Sequence, residues 1–339
     1  MTVHLINAFL GPYGGSEQET LTLYETLREI TRVQLWGTSS RLHPELARNW
    51  AVRHARLRAL DYPRDGILVF VGAHWRRQPW TWFARPHRLI YVFNTFHYKV
   101  LPIVTSPRPR PGGPQAEIVF ISDFQRRQLG VRGGVVHPSP IDIQLFRPRA
   151  RIGQPELTVG RMSRDYEGKF DAADFPLYTS LARKGVRVRL MGATCMRDEI
   201  LDHPLIERLP EGAESPEQFL RSLDVFFYRT GAHVETFGRV VLEAMACGLP
   251  VVCHRRGGYA DHVESGTDGF LFETTEEAAA QVNALLADAA LRQRIGVAAR
   301  HRAASLYAPD TQRERAIFYT ELATERAPAV SRSWSNCNR

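Results

Sequence analysis

The sequence is poor in lysine, with three lysines among 44 Lys and Arg residues, so nearly every positive charge is an arginine. Its four cysteines (Cys195, Cys247, Cys253 and Cys337) lack the spacing of metal ligands, which excludes a cysteine-based metal site and favours reduced thiols. No stretch approaches the ~18 uninterrupted apolar residues of a membrane-spanning helix. The first residues lack the basic start and cleavage site of a signal peptide. These absences predict a cytoplasmic protein without a membrane span.

The positive charge is confined to the first part of the sequence. Residues 1–150 contain 20 Lys and Arg against 10 Asp and Glu, a net charge of +10 (20 − 10), whereas the remainder contains 24 against 26, or −2 (24 − 26). Such an excess suits an anionic partner, either a membrane surface at its inner face or a phosphorylated acceptor. A generally arginine-rich composition explains the excess equally well, and both interpretations stay open. Nothing in the sequence indicates a nucleic-acid partner.

Alternating strand and helix patterns divide the 339 residues into two α/β halves, which implies parallel sheets. In the first half, we predict strands over 3–10, 32–36, 67–72, 89–93 and 118–121 and a helix over 17–30. In the second half, we predict strands over 157–160, 186–191, 224–228 and 251–253. The helices predicted there cover 175–184, 216–223, 240–247, 276–290, 291–306 and 311–322. The domain boundary is expected near 148–155.

The run ETFGRVVLEAMACGLPVV, from Glu235 to Val252, carries the strongest functional signal. Its apolar centre predicts a buried helix that ends at Gly248. Glu243 lies inside that helix and must be paired or bound, because an isolated buried carboxylate is costly. The simpler interpretation is an ion pair with Arg239, one helical turn earlier.

The loop before this helix combines groups suited to a sugar diphosphate. Phe237 and Gly238 lie at the helix N-terminus, where backbone N–H groups and the helix dipole attract anions. Glu235 and Glu243 supply two carboxylates that can accept hydrogen bonds from sugar hydroxyls. An anion site together with two such carboxylates indicates a sugar diphosphate ligand.

The whole motif, with its two glutamates eight positions apart, resembles the donor-binding signature of family 4 of the retaining nucleotide-sugar glycosyltransferases. This resemblance covers most of residues 3–325 and implies the GT-B fold, two Rossmann-like doubly wound parallel-sheet domains facing across a cleft. It implies domains at 1–152 (acceptor side) and 153–309 (donor side), and a helix at 310–326 that packs back on the first domain. The tail at 327–339 is expected to be disordered.

A glycine turn, Gly11-Pro-Tyr-Gly14-Gly15-Ser-Glu17, follows the first predicted strand. The sequence Ser16-Glu17-Gln18-Glu19 has the pattern of a capping box, which predicts a helix start at Ser16. The turn lacks the G-x-G-x-x-G pattern of a dinucleotide site, and no acid follows the second strand. A purely structural turn is the alternative. The turn matches the glycine-rich loop of the family, which implies that Gly14 and Gly15 approach donor phosphate and acceptor.

The segment Gly160-Arg161-Met-Ser-Arg164-Asp-Tyr-Glu-Gly-Lys169 follows the first strand of the second half. Cations at the carboxyl end of a parallel strand are well placed to neutralise a diphosphate. The segment resembles the family's diphosphate-binding Arg and Lys, but Lys169 lies further from Arg161 than is usual. Either Lys169 or Arg164 is therefore the second cation. Solvated loop charges are the alternative.

Three further segments are less specific. His97 ends the segment Tyr91-Val-Phe-Asn-Thr-Phe-His97 and matches the family's active-site histidine, although a lone histidine is more often structural. The segment Arg255 to Phe272 resembles a family segment with a structural role, with Asp261 in place of the usual glutamate. The segment Trp75 to Arg85 mixes tryptophans and arginines, as an interfacial membrane contact does, or as a partly buried loop does.

The resemblance implies a retaining glycosyltransferase that needs no metal or other cofactor. It implies that Glu243 binds the ribose, that Glu235 binds the transferred sugar with His97 opposite, and that the loop cations stabilise the departing diphosphate. The donor is a UDP- or GDP-sugar and the acceptor a sugar, glycolipid or small molecule. Two alternatives remain, a sugar-nucleotide 2-epimerase-like enzyme on the same fold and a non-catalytic sugar-nucleotide-binding partner.

Overall fold

The structure, a computed structural model, describes residues 1–72, 78–96, 113–148, 156–196 and 201–321. The chain divides into two compact units. One contains Met1–Pro140 and the chain from Gln312 onward, and the other contains Ile141–Thr311. The domain limits implied by the sequence, at 152 and 309, stay predictions, and the expected linker at 149–155 and tail at 327–339 lie outside the described residues.

In the described part of the first unit, a parallel sheet has the strand order β3-β2-β1-β4-β5-β6-β7. Its strands are β1 (Thr2–Asn7), β2 (Arg32–Gly37), β3 (Arg53–His54), β4 (Ile67–Val71), β5 (Arg88–Phe93), β6 (Ala116–Phe120) and β7 (Val135–Val136). The helices of this unit are α1 (Gly15–Arg28), α2 (Pro44–Asn49) and α3 (Asp123–Gln128). Every residue of β4 and β5 is buried, as expected for parallel strands covered on both faces.

The second unit repeats this arrangement, with a parallel sheet of order β10-β9-β8-β11-β12-β13 among its described residues. Its strands are β8 (Thr158–Met162), β9 (Arg187–Met191), β10 (Ile206–Leu209), β11 (Val225–Tyr228), β12 (Val251–His254) and β13 (Phe270–Phe272). Its helices are α4 (Phe175–Arg183), α5 (Pro216–Arg221), α6 (Arg239–Ala246), α7 (Thr275–Ala287) and α8 (Ala289–Leu306), and α9 (Pro309–Thr320) follows. Short 3-10 helices lie at Pro79–Trp82, Glu167–Lys169, Ala172–Asp174 and Gly258–His262. Two doubly wound parallel sheets confirm the predicted fold class.

Each unit has its own hydrophobic core. In the first, the faces of β4, β5 and β6 pack against Trp80, which stacks on Phe70 with ring centroids 6.0 Å apart. In the second, strands β8, β9 and β11 pack against α4 and α7. Among the residues described, no helix is both long and apolar enough to cross a bilayer.

The capping box predicted at Ser16–Glu19 is wrong. Helix α1 begins at Gly15, and its N-cap residue Gly14 makes no side-chain cap bond. Ser16 Oγ instead accepts a hydrogen bond from Asn7 Nδ2 at 2.8 Å, and Glu19 Oε2 accepts one from Asn94 Nδ2 at 2.8 Å. Asn7 and Asn94, at the ends of β1 and β5, thus bind the Ser16 and Glu19 side chains that a capping box would use.

The predicted stop of α6 at Gly248 is confirmed. Gly248 has φ +75°, and its N–H donates to Met245 O at 2.9 Å while Leu249 N–H donates to Ala244 O at 3.1 Å. These two bonds form a Schellman motif, which provides hydrogen-bond donors for carbonyls at the helix C-terminus that have no donor within the helix. A side chain at Gly248 would also place Cβ 3.0 Å from Pro148 Cγ.

We expect Gly248→Ala to lower the free energy of unfolding by about 1–2 kcal/mol, because an L-residue is disfavoured at positive φ. Gly185→Ala is the matched control, since Gly185 has φ +83° with no atom within 4 Å of the position that its Cβ would take. It should lower the free energy of unfolding by less than Gly248→Ala does. Differential scanning calorimetry measures both. An unchanged or raised unfolding temperature for Gly248→Ala would contradict this account of the helix end.

Candidate functional site

The strand order of the second unit defines one favoured edge for a ligand. Strands β8 and β11 are neighbours in the sheet, although they are not consecutive in sequence. In doubly wound sheets, ligands bind at the carboxyl ends of strands where the order reverses. The loop after β8 contains Arg164 and Lys169, and the loop after β11 leads to Glu235. The topology therefore brings two segments singled out in the sequence to one edge of the sheet.

A buried ion pair joins the two loops. Lys169 Nζ lies 2.5 Å from Glu235 Oε1, and the side chains are 8% and 13% exposed. The Tyr228 hydroxyl, at the end of β11, donates to the same carboxylate oxygen at 2.7 Å. His233 Nε2 lies 3.6 Å from the other oxygen. Glu235 is thus held on both oxygens by groups from three points of the chain.

The electrostatics of this cluster favour an ionised carboxylate. Burial alone raises the pKa of Glu235, but Lys169 and His233 outweigh it and hold the pKa well below its usual range. Burial, reinforced by the Glu235 charge, raises the pKa of Tyr228 well above its ordinary value. The phenol therefore stays protonated and donates its hydrogen bond. The cluster is a preformed charged group at the sheet edge.

Arg161 lies below this pair, not in solvent. Its guanidinium is fully buried, and it donates to Arg229 O at 2.6 Å and to Lys169 O at 2.7 Å. The Arg161 Cζ atom also lies 4.3 Å from the ring centroid of Phe170. The sequence led us to expect this side chain against a diphosphate. The structure directs its donors to backbone carbonyls of the two loops instead, so that it holds the loops together.

Arg164 has a different environment on the same loop. It is exposed, and its charge is one of those that lower the pKa of Lys169, after burial. Arg164 therefore lies near enough to Lys169 to influence it and remains accessible to a ligand. Of the two arginines in the segment, it is the accessible one.

The N-terminus of α6 provides a second feature for anion binding. Gly238 is its N-cap residue with φ +82°, and a Cβ there would lie 2.4 Å from Tyr259 Cδ1, so glycine is required. The first turn of α6 contains no acidic residue. Because first-turn N–H groups have no intrahelical partner, this helix end can accept an anion. Phe237, the residue before it, is buried.

The glycine pair Gly257-Gly258 supports the Glu235 loop. Glu235 forms a parallel bridge with Gly257, and Gly258 N–H donates to Glu235 O at 3.0 Å. His262 packs edge-on against Phe237, with ring centroids 5.3 Å apart. The segment assigned a structural role in the sequence thus packs directly against the loop that carries Glu235.

Glu243 is buried in α6 and pairs with Arg239. The distance between Glu243 Oε1 and a guanidinium nitrogen of Arg239 is 3.5 Å. Burial raises the pKa of Glu243, and Arg239 opposes that shift. The simpler interpretation of the sequence, a pair one helical turn apart, is therefore present in the structure. Glu243 therefore lies one helical turn from the start of α6, beside Arg239.

The glycine turn of the first unit differs from α6. Gly14 and Gly15 lie at the start of α1, but the buried carboxylate of Glu17 folds back over Gly14. Glu17 Oε1 accepts a hydrogen bond from Leu10 N–H at 3.1 Å. A carboxylate of the chain itself therefore lies at this helix N-terminus. An incoming phosphate would meet that charge.

His97 lies outside the described residues, as do residues 97–112 and 73–77. Sequence reasoning missed Tyr228 and His233, which contact Glu235, and the buried pair of Arg229 with Asp174 beneath them. The available signal was the polar ending of a buried strand, since residues at that end of a parallel sheet face the ligand edge. In the described ranges, no three His, Cys, Asp or Glu side chains are grouped as a metal site.

Comparison with known sequences identifies a family and curated relatives. The sequence model of the family "Glycosyl transferases group 1" matches residues 208–302. A D-inositol 3-phosphate glycosyltransferase of Geodermatophilus obscurus is 38% identical over 305 residues, covering 74% of this chain and 66% of the relative. The enzyme of the same description from Nocardiopsis dassonvillei is 31% identical over 246 residues, covering 62% and 57%. The chain therefore spans about three fifths of the length of these relatives.

Solved structures share the fold at low sequence identity. The Anabaena protein HepE, in complex with UDP and glucose, aligns with a TM-score of 0.71 and 16% identity, covering 93% of this chain and 98% of that one. Sucrose-phosphate synthase from Thermosynechococcus elongatus aligns with a TM-score of 0.70 and 14% identity, covering 94% and 98%. These similarities support the GT-B fold class.

The ion pair predicts a specific pattern of stability. Lys169→Met leaves the buried Glu235 carboxylate without its cation, so we expect it to lower the free energy of unfolding by about 3–5 kcal/mol at neutral pH. Lys169→Met combined with Glu235→Gln removes both charges and should recover most of that loss. Urea unfolding of the single and double variants measures the difference.

The same comparison has a defined pH dependence. Because the fold holds the pKa of Glu235 below its unfolded value of 4.5, the pair stabilises the protein above that pH, and this contribution is lost as the pH falls. The difference in the free energy of unfolding between wild type and Lys169→Met should therefore become smaller at acid pH. A gap that is constant from neutral to acid pH, or a double variant no more stable than the single one, would contradict the ion-pair assignment.

Proposed function

Because the chain belongs to the group 1 glycosyltransferases, we propose that it transfers a sugar from a nucleoside-diphosphate sugar to an acceptor hydroxyl. We propose that the transfer retains the anomeric configuration and uses no metal or other cofactor. The observation that carries this proposal is the buried Lys169–Glu235 pair at the carboxyl edge of β8 and β11, in the segment that leads to the N-terminus of α6.

In this proposal, the diphosphate lies between the loop cations and the start of α6. Lys169 and the exposed Arg164 neutralise its charge, and N–H groups near Phe237 and Gly238 donate to its oxygens. The sequence left a choice between Lys169 and Arg164, and the proposal assigns the diphosphate to both. Arg161 acts as a positioning residue, because its guanidinium binds the carbonyl of Lys169 and thereby fixes that loop.

The two glutamates take separate roles. Glu243 accepts hydrogen bonds from the ribose hydroxyls, which replace its pairing with Arg239. Glu235 accepts hydrogen bonds from hydroxyls of the transferred sugar, and Tyr228 and His233 keep its carboxylate in place. His97, as a second catalytic residue, and Gly14 and Gly15, as contacts to the acceptor, complete the proposal. Because the Glu17 carboxylate lies over Gly14, the donor phosphate is not assigned to this turn.

The proposed reaction is a front-face displacement. The bond between the anomeric carbon and the phosphate oxygen breaks, and the acceptor oxygen bonds to that carbon on the same face. The acceptor proton passes to the leaving phosphate oxygen, so neither glutamate acts as a nucleophile. The negative charge that grows on the diphosphate is stabilised by Lys169 and Arg164, which both lie in the loop after β8.

The comparisons and the charge distribution support a choice of donor and acceptor. The HepE structure contains UDP, and the two curated relatives are described as acting on D-inositol 3-phosphate. We propose a UDP- or GDP-sugar as donor and a sugar, glycolipid or small molecule as acceptor, with an anionic acceptor suited to the basic first 150 residues. We also propose a cytoplasmic enzyme in peripheral contact with an anionic membrane; its three described free cysteines suit a reducing compartment.

A thermal-shift panel of UDP-, GDP-, ADP- and dTDP-sugars identifies the donor, because selective binding raises apparent stability. The selected donor is then incubated with candidate acceptors, and the anomeric configuration of the product is read by NMR. Retained configuration supports the proposal. Inverted configuration, or consumption of the donor by isomerisation without an acceptor, would overturn it.

Variants at the two glutamates separate binding from transfer. We expect Glu235→Ala to lower turnover about 100-fold or more while the affinity for the nucleoside diphosphate changes less than about threefold. We expect Glu243→Ala to weaken nucleotide binding about tenfold, since two hydrogen bonds to ribose are lost. Glu276→Ala, an exposed carboxylate in α7, is the control and should change neither. Unaltered turnover in Glu235→Ala would contradict the assignment and favour a non-catalytic role.

A further inference from the structure

Three large apolar side chains of the first unit are exposed. Leu60, Trp82 and Phe83 are 62%, 64% and 59% exposed. They come from two loops, residues 56–65 between β3 and β4 and residues 78–87 before β5. Large apolar side chains that stand together on a surface mark a contact with a partner or a membrane. We call Leu60, Trp82 and Phe83 the interfacial patch.

Backbone contacts hold these two loops side by side. Arg64 donates from its guanidinium to Leu60 O at 3.1 Å, and Arg85 N–H donates to Arg64 O at 2.5 Å. Arg85 also donates from its guanidinium to Trp82 O at 3.3 Å. A chain of hydrogen bonds thus connects Leu60 to Trp82. The two loops that carry the three apolar side chains are therefore adjacent in the fold.

The patch rests on a rigid base. Trp80, in the 3-10 helix Pro79–Trp82, is buried and stacks against Tyr62 with ring centroids 6.1 Å apart. Phe83 N–H donates to Trp80 O at 3.0 Å. The buried tryptophan anchors the loop, and the next two aromatic positions extend outward. Their exposure is a consequence of how the loop is anchored.

Leu60 adds an observation of a different kind. It has φ +52°, in the left-handed region that favours glycine or asparagine. Holding a leucine there costs about 1–3 kcal/mol, and an exposed leucine recovers none of that by packing in the core.

The charges around the patch are mainly positive. The two loops contain four exposed arginines against two aspartates, and the loop over 78–87 contains no acidic residue. Asp61 is paired with Arg53. The exposed arginines are Arg56, Arg58, Arg64 and Arg85. A patch of this sign complements an anionic surface.

We infer that the interfacial patch is the part of the first unit that binds an anionic membrane. Trp82, Phe83 and Leu60 enter the headgroup region, where tryptophan is favoured because its ring is apolar with one polar N–H. The surrounding arginines bind anionic headgroups, each adding attraction that falls with salt. This inference rests on the membrane contact proposed with the function and names the residues that make it. It does not depend on which donor the protein binds.

The test is co-sedimentation of the full chain with lipid vesicles. We expect binding to vesicles that contain phosphatidylglycerol, and at least about tenfold weaker binding to pure phosphatidylcholine, since several arginines contribute. Trp82→Ser combined with Phe83→Ser should weaken binding about tenfold or more, because the inserted apolar area is lost. Val297→Ser, 65% exposed on α8, is the apolar control and should bind as wild type does.

Charge reversal gives an independent variant. Arg58→Glu should weaken binding about fivefold or more, while Arg183→Glu, an exposed arginine at the end of α4, should leave it unchanged. The unfolding temperature and the nucleotide-induced thermal shift are measured on every variant. Both should match wild type, which separates failure of this inference from failure of the proposed function.

Three results would overturn the inference. The first is equal binding to anionic and neutral vesicles. The second is wild-type binding by both patch variants. The third is absence of vesicle binding together with self-association of the wild-type chain in sedimentation that the patch variants abolish, which would assign the patch to a protein interface.

Discussion

The second unit depends on one constraint, the burial of two opposite charges, Lys169 and Glu235, at the edge of its sheet. Neither charge is tolerable there alone, because a buried ion without a partner loses its hydration without compensation. The loops after β8 and β11 must therefore meet, and Arg161 joins their backbones from below. The pair also explains why a donor would bind here. In the proposed function, diphosphate oxygens contact the Lys169 ammonium, and sugar hydroxyls donate hydrogen bonds to the Glu235 carboxylate.

Helix α1, which follows β1, and helix α6, which follows β11, differ at their N-termini. Helix α1 has the carboxylate of Glu17 folded over its N-terminus, whereas the first turn of α6 has no acid. The macrodipole of α1 is thus already opposed by a charge of the chain, and that of α6 is available to an anion. The same architecture accordingly favours anion binding in one unit and a polar network around Asn7 in the other.

Much of the fold follows from sequence patterns that are local. The buried strands and the end of α6 at Gly248 were predictable because apolar runs and a glycine at positive φ are decided within a few residues. The short edge strands β3 and β7 were not, since two paired residues leave no periodicity. The pattern at Ser16–Glu19 failed because Asn7 and Asn94, distant in sequence, bind those side chains, while the pattern Thr274–Glu277 does form a capping box at α7. Arg161 was predicted to follow the strand at 157–160 but lies within β8, and its orientation was not predictable, because the direction of its side chain depends on carbonyls of two loops.

The central claim is that the Lys169–Glu235 pair marks the donor site. The most direct measurement is a crystal structure of the chain with the nucleoside diphosphate that stabilises it most. The account predicts diphosphate oxygens in contact with Lys169 Nζ and with N–H groups at the start of α6, and ribose hydroxyls on Glu243. A diphosphate bound elsewhere, with the Lys169–Glu235 pair and the Arg239–Glu243 pair unchanged, would contradict it.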